Sequence, residues 1–171
     1  MPHLLVDGSP PAMTAELLAR LRELGIQVRT VEHEPVFTVA EAKQVRDKLP
    51  GAHTKSLFLR DKRGAMWLVC CLEDQVVDLA QLASKLGAKR LSFGSADRLM
   101  RYLGVIPGAV SPFAVINDRS RSVRVVIDPA LIAHEPINLH PLDNARTTVI
   151  SAAGLLRFLE AEEHPPQLLN M

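Results

Sequence analysis

Residues 54–72, Thr54-Lys-Ser-Leu-Phe-Leu-Arg60-Asp-Lys-Arg-Gly64-Ala-Met-Trp-Leu-Val-Cys-Cys-Leu72, decide the fold class. The runs 54–60 and 65–72 are rich in β-formers, and the polar turn Asp61-Lys-Arg-Gly64 joins them, so the stretch reads as a β-hairpin. The second run is apolar at odd and even positions alike. A strand with one face in water alternates; a run apolar on both faces predicts a strand at the centre of a sheet. In the first run Lys55 shares a face with Leu57 and Leu59, while Thr54, Ser56 and Phe58 take the other.

The rest of the chain supplies helices and further strands. Leu17, Leu18, Leu21 and Leu24 form a helical stripe within 14–24, ended by Gly25. Gln27–Glu32 reads as a short strand. Thr38-Val-Ala-Glu41 is a capping box that opens a helix fading near Lys48. Asp78 caps a helix bearing Leu79, Leu82, Ala83 and Leu86, closed by Gly87. Leu91-Ser-Phe93 predicts a short strand, and Ser95 caps a helix ending at Gly104. Beyond a loop at 107–112, Phe113–Asn117 and Val123–Ile127 read as strands joined by the turn Asp118-Arg-Ser-Arg-Ser122. Thr147–Ile150 is a further strand, and Ser151 caps a last helix over 152–161. The tail 163–171, opening Glu163-His-Pro-Pro166, reads as loose. The expectation is therefore a single α/β domain over 1–171, with its core at 15–162 and a mixed β-sheet surrounded by helices.

Composition narrows the function. With 171 residues the chain is long enough for one sizeable core. Its net charge of +1 gives no global basic field, so a nucleic-acid partner would need a local patch. No apolar run approaches the ~18 residues of a membrane span, and the start lacks the pattern of a signal peptide. Cys70 and Cys71 are neighbours on opposite faces of a strand, badly placed to pair. These features predict a cytoplasmic protein without a disulfide framework.

Two loops carry the candidate chemistry. In Gly108-Ala109-Val110-Ser111-Pro112, a glycine turn flanked by Pro107 and Pro112 holds backbone N–H groups in a fixed array. Such an array grips a carbonyl or phosphate oxygen with no side-chain nucleophile. The plain alternative is a turn that only redirects the chain. In His140-Pro-Leu-Asp-Asn144, the histidine is a base, a substrate partner or a structural loop residue, and Asn144 contacts substrate or caps its own turn. Lys55 is either a snorkelling edge residue or a partly buried cation with a task.

The remaining candidates are weaker. The most apolar strand makes Cys70 and Cys71 core residues rather than nucleophiles. No Gly-x-Ser-x-Gly elbow is present. His3, His33, His53, His134 and His164 show no metal-type spacing and there is no C-x-x-C pair, so no metal or organic cofactor is expected. Lys85, Lys89, Arg90, Arg98 and Arg101 form a basic stretch, either a solvated face or a contact for phosphates.

Lys55-Ser-Leu-Phe-Leu59 before a hairpin, Gly108-Ala-Val-Ser-Pro112-Phe, and His140-Pro-Leu-Asp-Asn144-Ala-Arg-Thr-Thr148 together resemble the YbaK/ProRS-associated editing domains, over roughly residues 15–165. The order and spacing are most similar to the free-standing alanyl-tRNA(Pro) deacylase branch. The resemblance implies trans-editing: hydrolysis of Ala-tRNA(Pro), which arises because a proline pocket discriminates poorly against a smaller side chain. It implies the acceptor end of mischarged tRNA(Pro) as partner, with prolyl-tRNA synthetase as a possible second one. Nothing in the sequence demands more than a monomer. The same chemistry on Cys-, Ser- or Thr-charged tRNA is the near alternative, and a non-catalytic tRNA-binding module the distant one.

The resemblance also implies roles. Lys55 would hold the 3′-terminal adenosine through its phosphate or ribose. The N–H groups near Gly108 and Ala109 would bind the ester carbonyl as charge develops. Val110, Ser111, Pro112 and His140 would border the aminoacyl pocket, with Asn144 as a substrate contact. Phe58 would line that pocket or serve the core. His33-Glu-Pro-Val-Phe-Thr38 matches a family segment near the pocket, although a strand-to-helix connector explains it slightly better. Lys85, Lys89, Arg90, Arg98 and Arg101 would meet acceptor-stem phosphates. The terminal 2′-OH would help activate water, so positioning would supply most of the catalysis.

Overall fold

The computed structural model describes residues 3–35 and 38–171. In chain order these form α1 (Thr14–Glu23), β1 (Val28–Glu32), α2 (Val39–Lys48), β2 (Ala52–Arg60), β3 (Met66–Leu72), α3 (Leu79–Leu86), β4 (Ser92–Phe93) and α4 (Ala96–Leu103). A 3₁₀ helix (Pro112–Asn117) follows, then β5 (Val123–Ile127), α5 (Pro129–Ile132), β6 (Ile137–Leu139), β7 (Arg146–Ile150), α6 (Ala152–Ala161) and β8 (Gln167–Leu168). The strands make one mixed sheet in the order β1-β7-β6-β2-β3-β5-β8, with β4 on β2. The expected single α/β domain with a mixed sheet is what forms. Among the described residues no helix is long and apolar enough to cross a membrane.

The hairpin sits at the centre, as its composition requires. β2 and β3 pair antiparallel from Thr54↔Leu72 to Arg60↔Met66, and β3 pairs in parallel with β5. On one face Phe58, Leu68, Cys70 and Val125 join the main core with α1, α4 and α6. On the other, Leu59, Trp67, Val69 and Val126 pack against Leu82 and Ala83 of α3. That double covering is why 65–72 shows no alternation. The caps behave as their chemistry dictates: Asp78, Ser95 and Ser151 each accept hydrogen bonds from N–H groups in the first turn of their helix.

Three readings of the sequence need correction. Phe113–Asn117 is not a strand but part of the 3₁₀ helix. Ser111 accepts the Phe113 N–H at 3.2 Å and Pro112 occupies the first turn, where its missing N–H costs nothing. The run is apolar because it is buried, with Phe113 edge-on to Phe158 at 5.4 Å, and a short buried run lacks a period that separates strand from helix. Residues 163–171 are not loose. β8 pairs with β5, the Leu169 N–H donates to Ile127 at 3.0 Å, and His164 is buried against Asp118. Finally, α5 and β6 carry no sequence signal strong enough to be read. α5 has four residues, capped by Asp128 with Pro129 following, and β6 has three.

β6 creates the feature that matters for function. β2 pairs with β6 only at Ala52 and His53, whereas its pairing with β3 continues to Arg60. The sheet therefore forks where β2 and β6 part.

Candidate active site

The fork exposes one edge of β2. The Ala52 N–H donates to Pro136, and the Phe58 carbonyl accepts from Gly94. Both residues thus address the same edge. Main-chain groups alternate sides along a strand, so Thr54 and Ser56 address that edge too. Among the described residues no strand pairs there, since β6 stops at His53 and β4 begins at Leu59.

A small cavity of about 60 Å³ fills the fork. Thr54 and Ser56 form its floor, Val110 and Ser111 one wall, and Asn138, Leu139, His140 and Thr147 the other, with His53 and Glu73 at its border. Ser111 ties the walls together: its hydroxyl donates to the His140 carbonyl at 2.6 Å. The 140–144 loop is held from outside by α1, whose Thr14 hydroxyl donates to the Pro141 carbonyl at 2.6 Å.

Of the expected site residues, Val110, Ser111 and His140 meet in this cavity. Gly108 has φ +93°, a backbone that L side chains rarely adopt, and a Cβ added there would lie 3.9 Å from Asn144 Nδ2. Asn144 is buried behind the turn. Pro112 is buried as the start of the 3₁₀ helix. The Ala109 N–H is already engaged, donating to Ile106 at 3.1 Å and closing the turn. The neighbouring N–H groups of Gly108 and Val110 make no such turn bond among the described residues.

The other candidates lie elsewhere. Phe58 is 4% exposed in the main core, against Gly94 rather than on the cavity wall. Lys55 lies on the face of β2 opposite Ser56, and its Nζ donates to the Gln75 carbonyl, in the loop that also carries Glu73. Lys85 donates to the Asn170 carbonyl and Arg98 approaches Met66 Sδ. The Lys62 N–H donates to the Lys89 carbonyl, which places Lys89 and Arg90 at the hairpin tip. The tip is about 20 Å along β2 from Thr54. Arg101 lies in the last turn of α4.

Electrostatics favour positioning over nucleophilic attack. Burial pushes the Cys70 thiol up to about 12 and the Cys71 thiol up to about 11, so neither yields a thiolate near neutral pH. Burial also lowers the His140 pKa, against the pull of the Arg146 carbonyl that accepts from Nδ1 at 3.1 Å. Among the described residues, no three His, Cys, Asp or Glu side chains converge to hold a metal ion.

Sequence reasoning missed Thr54, Glu73, Asn138 and Thr147. The signal for Asn138 was present: in Ile137-Asn-Leu-His140 the apolar and polar residues alternate, which puts Asn138 and His140 on one face. His33, read as a connector, backs the cavity. Its ring centroid lies 6.5 Å from that of His140, and its Nε2 bonds Thr147 Oγ1 at 2.8 Å. Of the motif His33–Thr38, Val36 and Phe37 lie outside the described residues.

The family model described as "Aminoacyl-tRNA editing domain" matches residues 33–158. The prolyl-tRNA editing protein ProX of Acetoanaerobium sticklandii is 40% identical over 146 residues, covering 85% of this chain and 89% of that protein. The prolyl-tRNA synthetase associated domain-containing protein 1 of Danio rerio is 38% identical over 164 residues, covering 95% and 89%. Among solved structures, a candidate trans-editing enzyme for prolyl tRNA synthetase superposes with a TM-score of 0.72 at 17% identity, over 93% of this chain and 96% of that one, which bears on the fold alone.

Proposed function

The chain belongs to the aminoacyl-tRNA editing domain family, and from that premise we propose that this aminoacyl-tRNA deacylase removes alanine from mischarged tRNA(Pro) in trans. The observation that carries the substrate is the cavity volume. About 60 Å³ is the room of about two water molecules. That suits a methyl side chain and an amino group, and a pyrrolidine ring would collide with Val110 and Leu139. The name of the Acetoanaerobium sticklandii relative, a prolyl-tRNA editing protein, supports the choice of tRNA.

The chemistry needs little beyond placement. An aminoacyl ester is activated, and the terminal ribose 2′-OH helps activate the attacking water. The ester carbonyl sits at the 108–112 turn, where the N–H groups of Gly108 and Val110 receive the developing oxyanion. Ala109 contributes by closing the turn. A donor of this kind is worth about 3–4 kcal/mol when aimed at the transition state.

Lys55 acts from outside the cavity. An ammonium has three donors and the Gln75 carbonyl takes one. The others meet the phosphate of the terminal nucleotide, which lies in the groove sharing the His33 wall between β1 and α2. Lys85, Lys89, Arg90, Arg98 and Arg101 are placed for phosphates further along the acceptor stem, with affinity that falls as salt rises.

The test is deacylation of tRNA(Pro) charged with Ala, Ser or Cys, by wild type and Lys55→Ala. Loss of the alanyl ester alone, slowed in the variant, is expected. Clearance of Ser or Cys instead would assign another substrate to the same site. No acceleration of any ester would overturn the reading.

A further inference from the structure

The cavity walls have a polarity that a water-filled crevice does not require. Asn138 is 3% exposed, and its Nδ2 donates to the carbonyls of Pro50 at 3.0 Å and Ala52 at 3.1 Å. Two carbonyl partners fix the amide orientation, because carbonyls only accept. The acceptor Oδ1 is thereby left over, and it has no partner among the described residues. Thr54 Oγ1, on the cavity floor, is likewise buried without a partner. An unpartnered buried oxygen costs about 1–3 kcal/mol, so two beside one cavity call for an occupant.

The other polar walls offer lone pairs as well. His33 Nδ1 bonds the Glu34 carbonyl at 2.7 Å, so Nδ1 carries the proton and the neutral ring accepts the Thr147 hydroxyl at Nε2. The Thr147 hydrogen is thus spent, and its oxygen presents only lone pairs. His140 Nδ1 donates to the Arg146 carbonyl, burial favours the neutral ring, and Nε2 is left as an acceptor. Glu73 adds a carboxylate at the border, and among the described lining residues there is no Lys or Arg.

We infer that this acceptor cluster, Thr54 Oγ1, Asn138 Oδ1, Thr147 Oγ1 and His140 Nε2, is a binding site for the α-ammonium of the aminoacyl group. The assignment rests on the aminoacyl-ester reading above and adds the group by which the substrate is recognised. A primary ammonium brings three N–H donors and a positive charge, the complement of a wall that has acceptors and no cation. The enzyme is therefore selective for a free α-amino group as well as for a small side chain. N-acylated aminoacyl ends and α-hydroxyacyl ends are excluded.

The test separates recognition from turnover by using stable adenosine analogues. 3′-Deoxy-3′-alanylamido-adenosine, its N-acetyl derivative and its 3′-lactylamido counterpart are titrated by calorimetry against wild type, Thr54→Val and Thr147→Val. The valine variants keep shape and remove only the hydroxyl, so Asn138, which also braces Pro50 and Ala52, is left intact. The alanyl analogue should bind about tenfold or more tighter than the other two, the scale of one hydrogen bond to a charged group. That preference should shrink in each variant. Equal binding of the three, no binding of the alanyl analogue, or an undiminished preference in both variants would overturn the site. The deacylase reading is judged separately: hydrolysis of Ala-tRNA(Pro) and N-acetyl-Ala-tRNA(Pro) at equal rates would remove the ammonium site and keep the deacylase. Analogue preference without ester hydrolysis would do the reverse.

Discussion

Ser111 joins the two site loops through a single hydroxyl, which donates to the His140 carbonyl and accepts from the Phe113 N–H. Ser111→Ala leaves both groups unpaired in a buried place. It should cost about 1–3 kcal/mol in urea unfolding and lower kcat/KM for the alanyl ester, since the turn is no longer tied to the opposite wall. Gly108→Ala tests the turn itself. There is room for the methyl, so only the φ of +93° opposes it. The expected penalty is about 1–2 kcal/mol, read by thermal unfolding, with a larger relative fall in activity. At this scale the sequence was informative where a residue type has few uses, as in the Gly108 turn or His140. It was uninformative for Thr54, because a threonine in a strand looks the same whether its hydroxyl is bonded to a neighbour or left to a ligand.

Two histidines on different elements make opposite contributions to stability with pH. At the end of β6, His140 has a pKa lowered mainly by burial. Below the ordinary value near 6.5 the unfolded chain takes a proton that the folded one refuses, so stability is lost as pH falls through that value. In the C-terminal segment, burial opposes the charge of His164. The Asp118 carboxylate at 2.9 Å and the Glu162 carbonyl outweigh it and raise the pKa. That contribution is complete below about 6.5 and is lost as pH rises through the raised value. His164→Gln should therefore be destabilised relative to wild type by about 1–3 kcal/mol at pH 6, with the gap narrowing at pH 9 in paired urea titrations. A constant gap would show that the contact is steric. The helices with side-chain caps were legible because a cap and a stripe agree over two or more turns. The 3₁₀ helix, β6 and β8 were not, because each is short and its conformation is set by partners distant in sequence.

At the scale of the molecule, the site exists because one strand serves two pairings. β2 is central to the sheet through β3, and it leaves β6 after two residues. The hairpin reading located β2 and its centrality, and the family resemblance located the loops. The fork itself depends on where β6 stops, which no local pattern records. The small cavity in that fork is the account's central claim, and the comparison of kcat/KM for Ala-tRNA(Pro) and Pro-tRNA(Pro) tests it most directly. The account predicts hydrolysis of the alanyl ester with the prolyl ester spared by about 100-fold or more, the scale of a ring that does not fit. Hydrolysis of both esters at similar rates would contradict it.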